Sequence, residues 1–255
     1  MAHIHCDFRS ESLEMMTTLN VVLPENVDIH NAKVIYLLHG RRDNCSGWYR
    51  FTNVERYARM KNLVLVTPEV QRSFYADMDM GINYFQYVSQ ELPMLCRNLF
   101  NLSDKRENNY IMGLSMGGYG AMKCALTHPE NYAGVAAFSA VTDIQNWVDI
   151  STGSERKEYA AIFGQDLKVP DHSNLRSLVD KVDPKTFPKV ITYCGEQDFL
   201  YDQNVRFSNL LKDKGFDTEF FHWEGEHNWV FWDQAVEAAI NTLFPEDSNT
   251  VSVAE

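Results

Sequence analysis

Short, almost wholly apolar runs recur along the chain, and helical patterns separate them. The first run is Val34-Ile-Tyr-Leu-Leu38, and similar runs lie at 63–66, 110–112, 135–138 and 190–193. A strand can be apolar throughout only when both of its faces are buried, as in a parallel sheet with helices on both sides. Strands that alternate with helices are typical of this architecture. The sequence therefore predicts an α/β fold with a mostly parallel central sheet and a last strand at 218–223.

The segments between and before these runs complete the predicted architecture. Residues 3–9 and 14–23 are rich in β-forming residues and predict an antiparallel hairpin at the sheet edge, ending at Leu23-Pro24-Glu25-Asn26. Apolar residues at i, i+3 and i+4 spacing predict helices on both faces of the sheet, at 53–60, 82–100, 116–127, 203–214 and 229–243. Pro93 predicts a kink or break, because proline lacks the N–H that a helix interior needs.

Residues 139–188 interrupt the alternation. They contain Gly153 and three prolines, with short helical patterns only near 155–163 and 173–181. We predict an insertion or small lid between two strands, because the segment is too short and too poor in apolar residues to fold alone. Residues 1–244 are then expected to form a single domain, and residues 245–255 a flexible tail.

The charge balance and the termini exclude several classes of function. The 255 residues include 23 basic and 35 acidic side chains, which gives a net charge of −12. The longest basic run is Arg41-Arg42, so the chain lacks the clustered cations that nucleic-acid binding requires. The N-terminal segment has no apolar core of a signal peptide, and no apolar run approaches the roughly 18 residues of a membrane span. We therefore expect a cytoplasmic protein that binds neither nucleic acid nor membranes.

Cysteines and histidines do not form a recognisable framework. The five cysteines are odd in number and scattered, which is not typical of a disulfide scaffold. His3 and His5 have a spacing at which a strand could ligate a metal, but no convincing third ligand accompanies them. We expect no metal and no cofactor.

The most informative local motif is Gly113-Leu-Ser115-Met-Gly117, which follows one predicted strand and opens the next helix. A serine that projects above a sheet must occupy a tight, strained turn, and glycines two residues to either side avoid crowding in that turn. The following helix points its N-terminus, which favours an anion, at the same place. The alternative is a glycine-rich turn that binds phosphate, but no P-loop lysine follows. Ser115 is therefore the candidate nucleophile of an α/β-hydrolase.

A serine nucleophile needs a base, and the base needs an acid that fixes its tautomer. In α/β-hydrolases these follow in the order serine, acid, histidine. The candidate bases are His172, His222 and His227. His227 is preferred because it follows the last strand, at the carboxyl edge where active sites of open α/β sheets lie. In the loop after the strand at 190–193, Asp198 is the preferred acid, Glu196 is second, and Asp202 is expected to cap a helix.

Two backbone N–H groups are expected to bind the oxyanion. One belongs to Met116, which follows the nucleophile, and the other to Gly40 or Arg41, in the loop after the strand at 34–38.

Several sequence blocks together resemble the tributyrin esterase family, which are bacterial short-chain acylesterases related to esterase D. The blocks are Leu37-Leu-His-Gly40, Met80-Gly-Ile-Asn-Tyr84-Phe, Glu91-Leu-Pro93, Ser103-Asp-Lys-Arg106 and Gly113-Leu-Ser-Met-Gly-Gly-Tyr-Gly120. The resemblance covers roughly residues 3–243, and its last block is also similar to S-formylglutathione hydrolases, feruloyl esterases and mycolyltransferases. It implies Ser115, Asp198 and His227 as the triad. The chain departs from the family at Arg41-Arg42-Asp43, where more apolar residues are usual.

These observations predict a serine esterase that hydrolyses small-molecule acetyl to butyryl esters, acetylated sugars and aryl esters among the candidate substrates. Alternatives are a thioesterase similar to S-formylglutathione hydrolase, a feruloyl esterase, and a catalytically inactive binding protein of the same fold. The oligomeric state is left open, a homo-oligomer included. Residues expected to line the substrate pocket are Phe74, Tyr75, Tyr84, Phe85 and Trp229.

Overall fold

A computed structural model describes residues 1–25 and 27–245. Its eight strands form one sheet in the order β1-β2-β4-β3-β5-β6-β7-β8. The strands are β1 (Ala2–Ser10), β2 (Met15–Leu23), β3 (Val34–Leu38), β4 (Val64–Pro68), β5 (Asn109–Leu114), β6 (Gly134–Phe138), β7 (Lys189–Gly195) and β8 (Thr218–Trp223). Strands β3 to β8 run parallel, whereas β1 pairs antiparallel with β2 and β2 antiparallel with β4. The mostly parallel sheet and the N-terminal hairpin are both confirmed.

Ten α-helical segments in the described part of the chain connect these strands. They are α1 (Gly47–Phe51), α2 (Val54–Met60), α3 (Tyr84–Gln86), α4 (Leu92–Phe100), α5 (Met116–Thr127), α6 (Ile144–Ile150), α7 (Gly153–Phe163), α8 (Leu175–Val179), α9 (Tyr201–Asp213) and α10 (Trp229–Leu243). The sequence did not predict α1 and α6, which are only five and seven residues long. Such short helices show too few turns for a periodic pattern to stand out.

The predicted break at Pro93 takes a specific form. A π-helical turn at Tyr87–Glu91 joins α3 to α4, and Pro93 lies in the first turn of α4. Proline has no N–H to donate to the carbonyl of Ser89, so the regular i to i−4 ladder cannot continue through this point. The predicted single helix is therefore three helical segments in sequence.

Helices cover the sheet on both faces, and each face has its own apolar core. On one face α2 and α10 pack against the sheet through Val54, Ala58 and Val236. On the other face the core includes residues of α4, α5, α8 and α9. Helix α5 lies almost wholly inside this second core, with eleven of its residues buried. The helix that follows the nucleophile motif is thus the most buried helix among the described residues.

The segment between β6 and β7 carries α6, α7 and α8, so it holds more helix than the sequence indicated. Helix α7, here called the cap helix, is joined to a neighbouring loop by two backbone hydrogen bonds. The N–H groups of Asp79 and Met80 donate to the carbonyls of Ile162 (3.0 Å) and Ala161 (3.2 Å).

The predicted tail lies outside the described residues from position 246 onward. Within the described residues, no helix combines the length and the apolar character needed to cross a bilayer.

Candidate active site

Ser115 occupies a strained turn between β5 and α5. Its backbone angles are φ 53° and ψ −115°, a conformation that non-glycine residues rarely adopt. The turn is tight because two glycines approach other backbone atoms. A Cβ on Gly113 would lie 2.3 Å from the carbonyl oxygen of Gly117, and a Cβ on Gly117 would lie 2.4 Å from that of Leu38. Both positions therefore require glycine, as the sequence motif predicts.

The structure brings His227 and Asp198 to Ser115. The Nε2 of His227 lies 3.1 Å from the Oγ of Ser115, and its Nδ1 lies 2.8 Å from Oδ2 of Asp198. An ionised carboxylate only accepts hydrogen bonds, so Nδ1 carries the proton and Nε2 is left to accept one from the serine. This is the geometry that a histidine needs to act as a general base.

Buried contacts hold this histidine and this acid in place. The side chain of Asp198 is fully buried, and its other oxygen, Oδ1, accepts a hydrogen bond from the N–H of Leu200 at 2.8 Å. The ring of His227 contacts Phe199 at 4.5 Å and the edge of Trp232 at 4.9 Å between ring centroids. Loops that follow β7 and β8 supply the acid and the histidine, at the carboxyl edge of the sheet.

The alternative acids and bases lie elsewhere. Glu196 pairs with His222 at 2.9 Å, but the two side chains are 44% and 45% exposed and neither lines the cavity at Ser115. Asp202 lies in the first turn of α9, and His172 lies in a 3₁₀ turn at Asp171–Ser173. Burial lowers the pKa of His172.

Two side chains fix the peptides of the loop that follows β3. His39 is fully buried. Its Nε2 lies 3.1 Å from the N–H of Val70, which must donate, so Nδ1 carries the proton and donates to the carbonyl of Gly40 at 2.8 Å. Burial lowers the pKa of His39, in keeping with a neutral ring. The hydroxyl of Tyr75 donates to the carbonyl of His39 at 2.9 Å.

Because a trans peptide holds its N–H opposite its carbonyl, these bonds also orient the two N–H groups of the loop. The Gly40 N–H points away from Tyr75, and the Arg41 N–H points away from the ring of His39. Gly40 and Arg41 both line the cavity that contains Ser115. Met116 is the first residue of α5, where N–H groups have no partner within the helix.

The cavity at Ser115 has a volume of about 540 Å³, and seven aromatic side chains contribute to its wall. Two of the predicted pocket residues, Phe74 and Trp229, line it. Five further aromatic residues in the wall were not predicted, namely Phe51, Trp147, Tyr159, Phe199 and Trp232. Of these, Phe199 could have been predicted from the sequence, since it directly follows the candidate acid in a loop at the carboxyl edge of the sheet. Trp147 and Tyr159 belong to the segment between β6 and β7.

The other predicted pocket residues do not line this cavity. Tyr75 is buried beneath the loop after β3, where its ring takes the space that a Cβ on Gly120 would need. Tyr84 lines a different cavity beside the N-terminal hairpin, together with Met15 and Glu69. Phe85 stacks on His128 at 6.1 Å and packs against the core. An aromatic side chain near a site in sequence can point to either side of its backbone, and none of these three lines the cavity at Ser115.

Charged side chains also line the cavity. Arg41, Arg42, Asp43 and Glu155 are among its lining residues. Burial raises the pKa of Asp43. The Nε of Arg41 is buried and finds no hydrogen-bond acceptor within residues 1–25 and 27–245. In that same part of the chain no cluster of three or more metal-ligating side chains occurs, and the ring of His3 lies tilted against that of Tyr49, with 4.6 Å between the centroids.

Comparison with known proteins identifies the family of the chain. Residues 10–243 match the family described as "Putative esterase". An acetyl esterase of Caldicellulosiruptor saccharolyticus is 31% identical over 262 residues, which cover 95% of this chain and 98% of the relative. The fluorophosphonate-binding serine hydrolase F of Staphylococcus aureus, solved with substrate bound, has a TM-score of 0.88 and 33% identity, covering 96% of this chain and 99% of that one. The S-formylglutathione hydrolase of the same species has a TM-score of 0.85 and 33% identity, covering 95% and 98%.

The parallel sheet, the strained strand-to-helix turn and these structural relatives define a serine hydrolase of the α/β-hydrolase fold. More narrowly, the chain belongs to the esterase family whose model its residues 10–243 match, and it is a carboxylic ester hydrolase. The resemblance to tributyrin esterases is confirmed at the level of this esterase family.

Proposed function

We propose that this serine esterase hydrolyses short-chain acyl esters, acetyl to butyryl, with Ser115 as nucleophile, His227 as base and Asp198 as the acid that orients it. The observation that carries the proposal is the hydrogen-bonded chain from Ser115 through His227 to the buried Asp198, at 3.1 and 2.8 Å. That chain opens into an aromatic cavity large enough for a small ester.

In the proposed reaction the Oγ of Ser115 attacks the ester carbonyl as its proton passes to Nε2 of His227. Asp198 stabilises the imidazolium that forms and keeps it oriented. The negative oxygen of the tetrahedral intermediate accepts hydrogen bonds from the backbone N–H of Met116 and that of Gly40 or Arg41. The C–O bond to the alcohol then breaks, and His227 returns the proton to the departing oxygen. Water repeats both steps on the acyl-enzyme and releases the acid.

The shape of the cavity favours substrates with short acyl groups. Aromatic side chains from five of the segments that connect or follow the strands bound the cavity, and Phe74 and Tyr159, 5.5 Å apart between ring centroids, close part of it. Each methylene that finds a matching apolar surface contributes about 0.8 kcal/mol. Methylenes beyond the reach of the wall contribute nothing or meet a rigid ring.

The test is kcat/KM on p-nitrophenyl acetate, butyrate, hexanoate, octanoate and decanoate. We expect a rise to butyrate and a fall beyond it. A steady rise through decanoate would contradict the short-chain proposal.

Ser115→Ala should lower kcat by about 10⁴- to 10⁶-fold while the protein stays folded. A variant with nearly wild-type activity would exclude Ser115 as the nucleophile.

A thioesterase is the second candidate, because a structural relative at 33% identity is an S-formylglutathione hydrolase. The same triad could cleave a thioester, since a thiolate leaves more readily than an alkoxide. Comparing kcat/KM for p-nitrophenyl acetate and S-formylglutathione separates the two proposals: a ratio strongly in favour of the thioester would replace the ester proposal.

The cytoplasmic location stays a prediction from the sequence, and a homo-oligomer remains one of the possible states.

A further inference from the structure

The side chain of Arg41 joins the loop after β3 to the cap helix. Its two terminal nitrogens form ion pairs with the carboxylates of Glu155 and Glu158, one carboxylate for each nitrogen. Its guanidinium carbon also lies over the ring of Tyr159, 5.4 Å from the centroid. All three partners belong to α7, so the contact joins two segments that are far apart in sequence.

The partners of Arg41 are themselves held. Glu155 and Glu158 are three residues apart, so they share one face of the helix. Arg72 pairs with Glu158 as well, with its Nε 2.6 Å from Oε1. The far end of α7 is joined to the loop at Asp79 and Met80 by the backbone hydrogen bonds described above. The Arg41 side chain is only 16% exposed, so these ion pairs are less screened than a fully exposed pair.

We propose that Glu155 and Glu158 of the cap helix are positioning residues for the oxyanion hole, because they hold the side chain of Arg41 and through it the backbone N–H of that residue. The inference rests on the proposed function, in which this loop donates to the oxyanion. His39 and Tyr75 hold the backbone of the loop, through the carbonyls of Gly40 and His39. The ion pairs hold the loop through the side chain of Arg41. Without the ion pairs, the peptide between Gly40 and Arg41 could turn about the glycine, and the Arg41 N–H would lose its orientation.

Positioning and plain electrostatics predict opposite results when the two carboxylates are removed. Glu155 and Glu158 are negative charges beside a site where a negative charge develops. If they acted only through space, their removal would leave the charge of Arg41 uncompensated and raise kcat. If they position the N–H, their removal should lower kcat, since losing one oxyanion donor costs about 10²- to 10³-fold and a misplaced donor costs part of that.

The test compares Glu155→Ala/Glu158→Ala with wild type. Alanine keeps the helix propensity at these positions. Lys157→Ala, at an exposed position of the same helix, is the matched control. We expect kcat on p-nitrophenyl acetate to fall at least about tenfold with KM nearly unchanged, and no such change in the control. The Ki of phenylboronic acid, whose serine adduct is tetrahedral and anionic, should rise by the same factor as kcat/KM falls.

Unchanged or higher kcat, or an effect confined to KM, would overturn the proposal, and so would an unchanged Ki for the boronic acid. If the double variant does not fold, Arg41→Lys provides the same test. It keeps the charge but cannot reach both carboxylates at once. Fluorophosphonate labelling of Ser115 in wild type reports separately on the proposed function. If wild type is labelled and active while Glu155→Ala/Glu158→Ala keeps its kcat, only the positioning role of the two carboxylates is rejected.

Discussion

Asp198→Asn tests the proposed acid most sharply, because the surrounding hydrogen bonds dictate how the new amide must lie. Oδ1 of Asp198 accepts from the N–H of Leu200 at 2.8 Å, so the amide oxygen of asparagine will occupy that place. The amide nitrogen then faces Nδ1 of His227, where the carboxylate oxygen now lies at 2.8 Å. Two donors cannot share one hydrogen bond. The imidazole must shift its proton to Nε2, and it can no longer accept the proton of Ser115.

The expected size of the loss follows from this change of tautomer. In a serine protease triad the same substitution lowers kcat by about 10⁴-fold. A factor of about 10⁴ corresponds to roughly 5.5 kcal/mol of transition-state stabilisation. We expect kcat/KM of Asp198→Asn on p-nitrophenyl acetate to fall by about 10³- to 10⁴-fold. The melting temperature should change little, because the amide keeps the hydrogen bond to Leu200.

The chain offers a matched control in Glu196→Gln. Glu196 also pairs with a histidine, His222, at 2.9 Å, but that pair is about half exposed. Exposed ion pairs contribute about 0–1 kcal/mol to stability, so activity and melting temperature should both stay close to wild type. An Asp198→Asn variant with activity within tenfold of wild type would refute the reasoning, and so would a Glu196→Gln variant that is nearly inactive.

Three further predictions concern the loop after β3 and helix α5. His39→Leu removes the donor to the carbonyl of Gly40 and the acceptor of the Val70 N–H, so kcat should fall more than about tenfold and urea denaturation should show a loss of about 2–4 kcal/mol in the free energy of unfolding. Gly117→Ala places a methyl group 2.4 Å from the carbonyl oxygen of Leu38, so p-nitrophenyl acetate activity should fall by more than about 100-fold, and an active variant would contradict the crowded turn. Burial lowers the pKa of Lys123 to about 8 from 10.5, so the unfolded chain binds more protons between these values and stability rises with pH. The free energy of unfolding can be measured with urea at pH 7.5 and at pH 9.5 for wild type and for Lys123→Met. From the lower to the higher pH, wild type should gain about 2 kcal/mol relative to the variant, and a relative loss would contradict the assignment.

The sequence predicted the central sheet well because burial on both faces leaves a strong and local signature. The apolar run at Val34–Leu38 is wholly buried, and the strand Thr218–Trp223 has the bounds predicted for it. The meeting of Ser115, Asp198 and His227 also followed from local information, because each residue ends or follows a parallel strand and such ends share one edge of the sheet. Their catalytic roles stay a prediction.

The walls of the cavity were harder to predict because side-chain direction depends on tertiary packing. Tyr75 lies forty residues before Ser115 in the sequence. It contributes to the site only through its hydroxyl, which donates to the carbonyl of His39 in the loop after β3. Phe74 and Tyr75 are neighbours with left-handed backbone angles, φ 49° and 48°, and only one of them lines the cavity. Periodic patterns do not anticipate such angles. The contact of Arg41 with the cap helix lacked any sequence signal, since Glu155 and Glu158 alone describe an ordinary solvated helix face.

Strands β1 and β8 leave the sheet with two open edges, and charged and polar side chains mark both. On β1 the outward residues include His5, Asp7 and Arg9, which alternate with partly buried residues. On β8, Glu219 pairs with Lys189 of the neighbouring strand at 2.5 Å. A foreign strand that added to either edge would have to bring its own side chains against these charges, which natural sheets use to discourage intermolecular pairing. The chain should therefore resist aggregation through its sheet edges even at high concentration, and assembly through added strands is disfavoured.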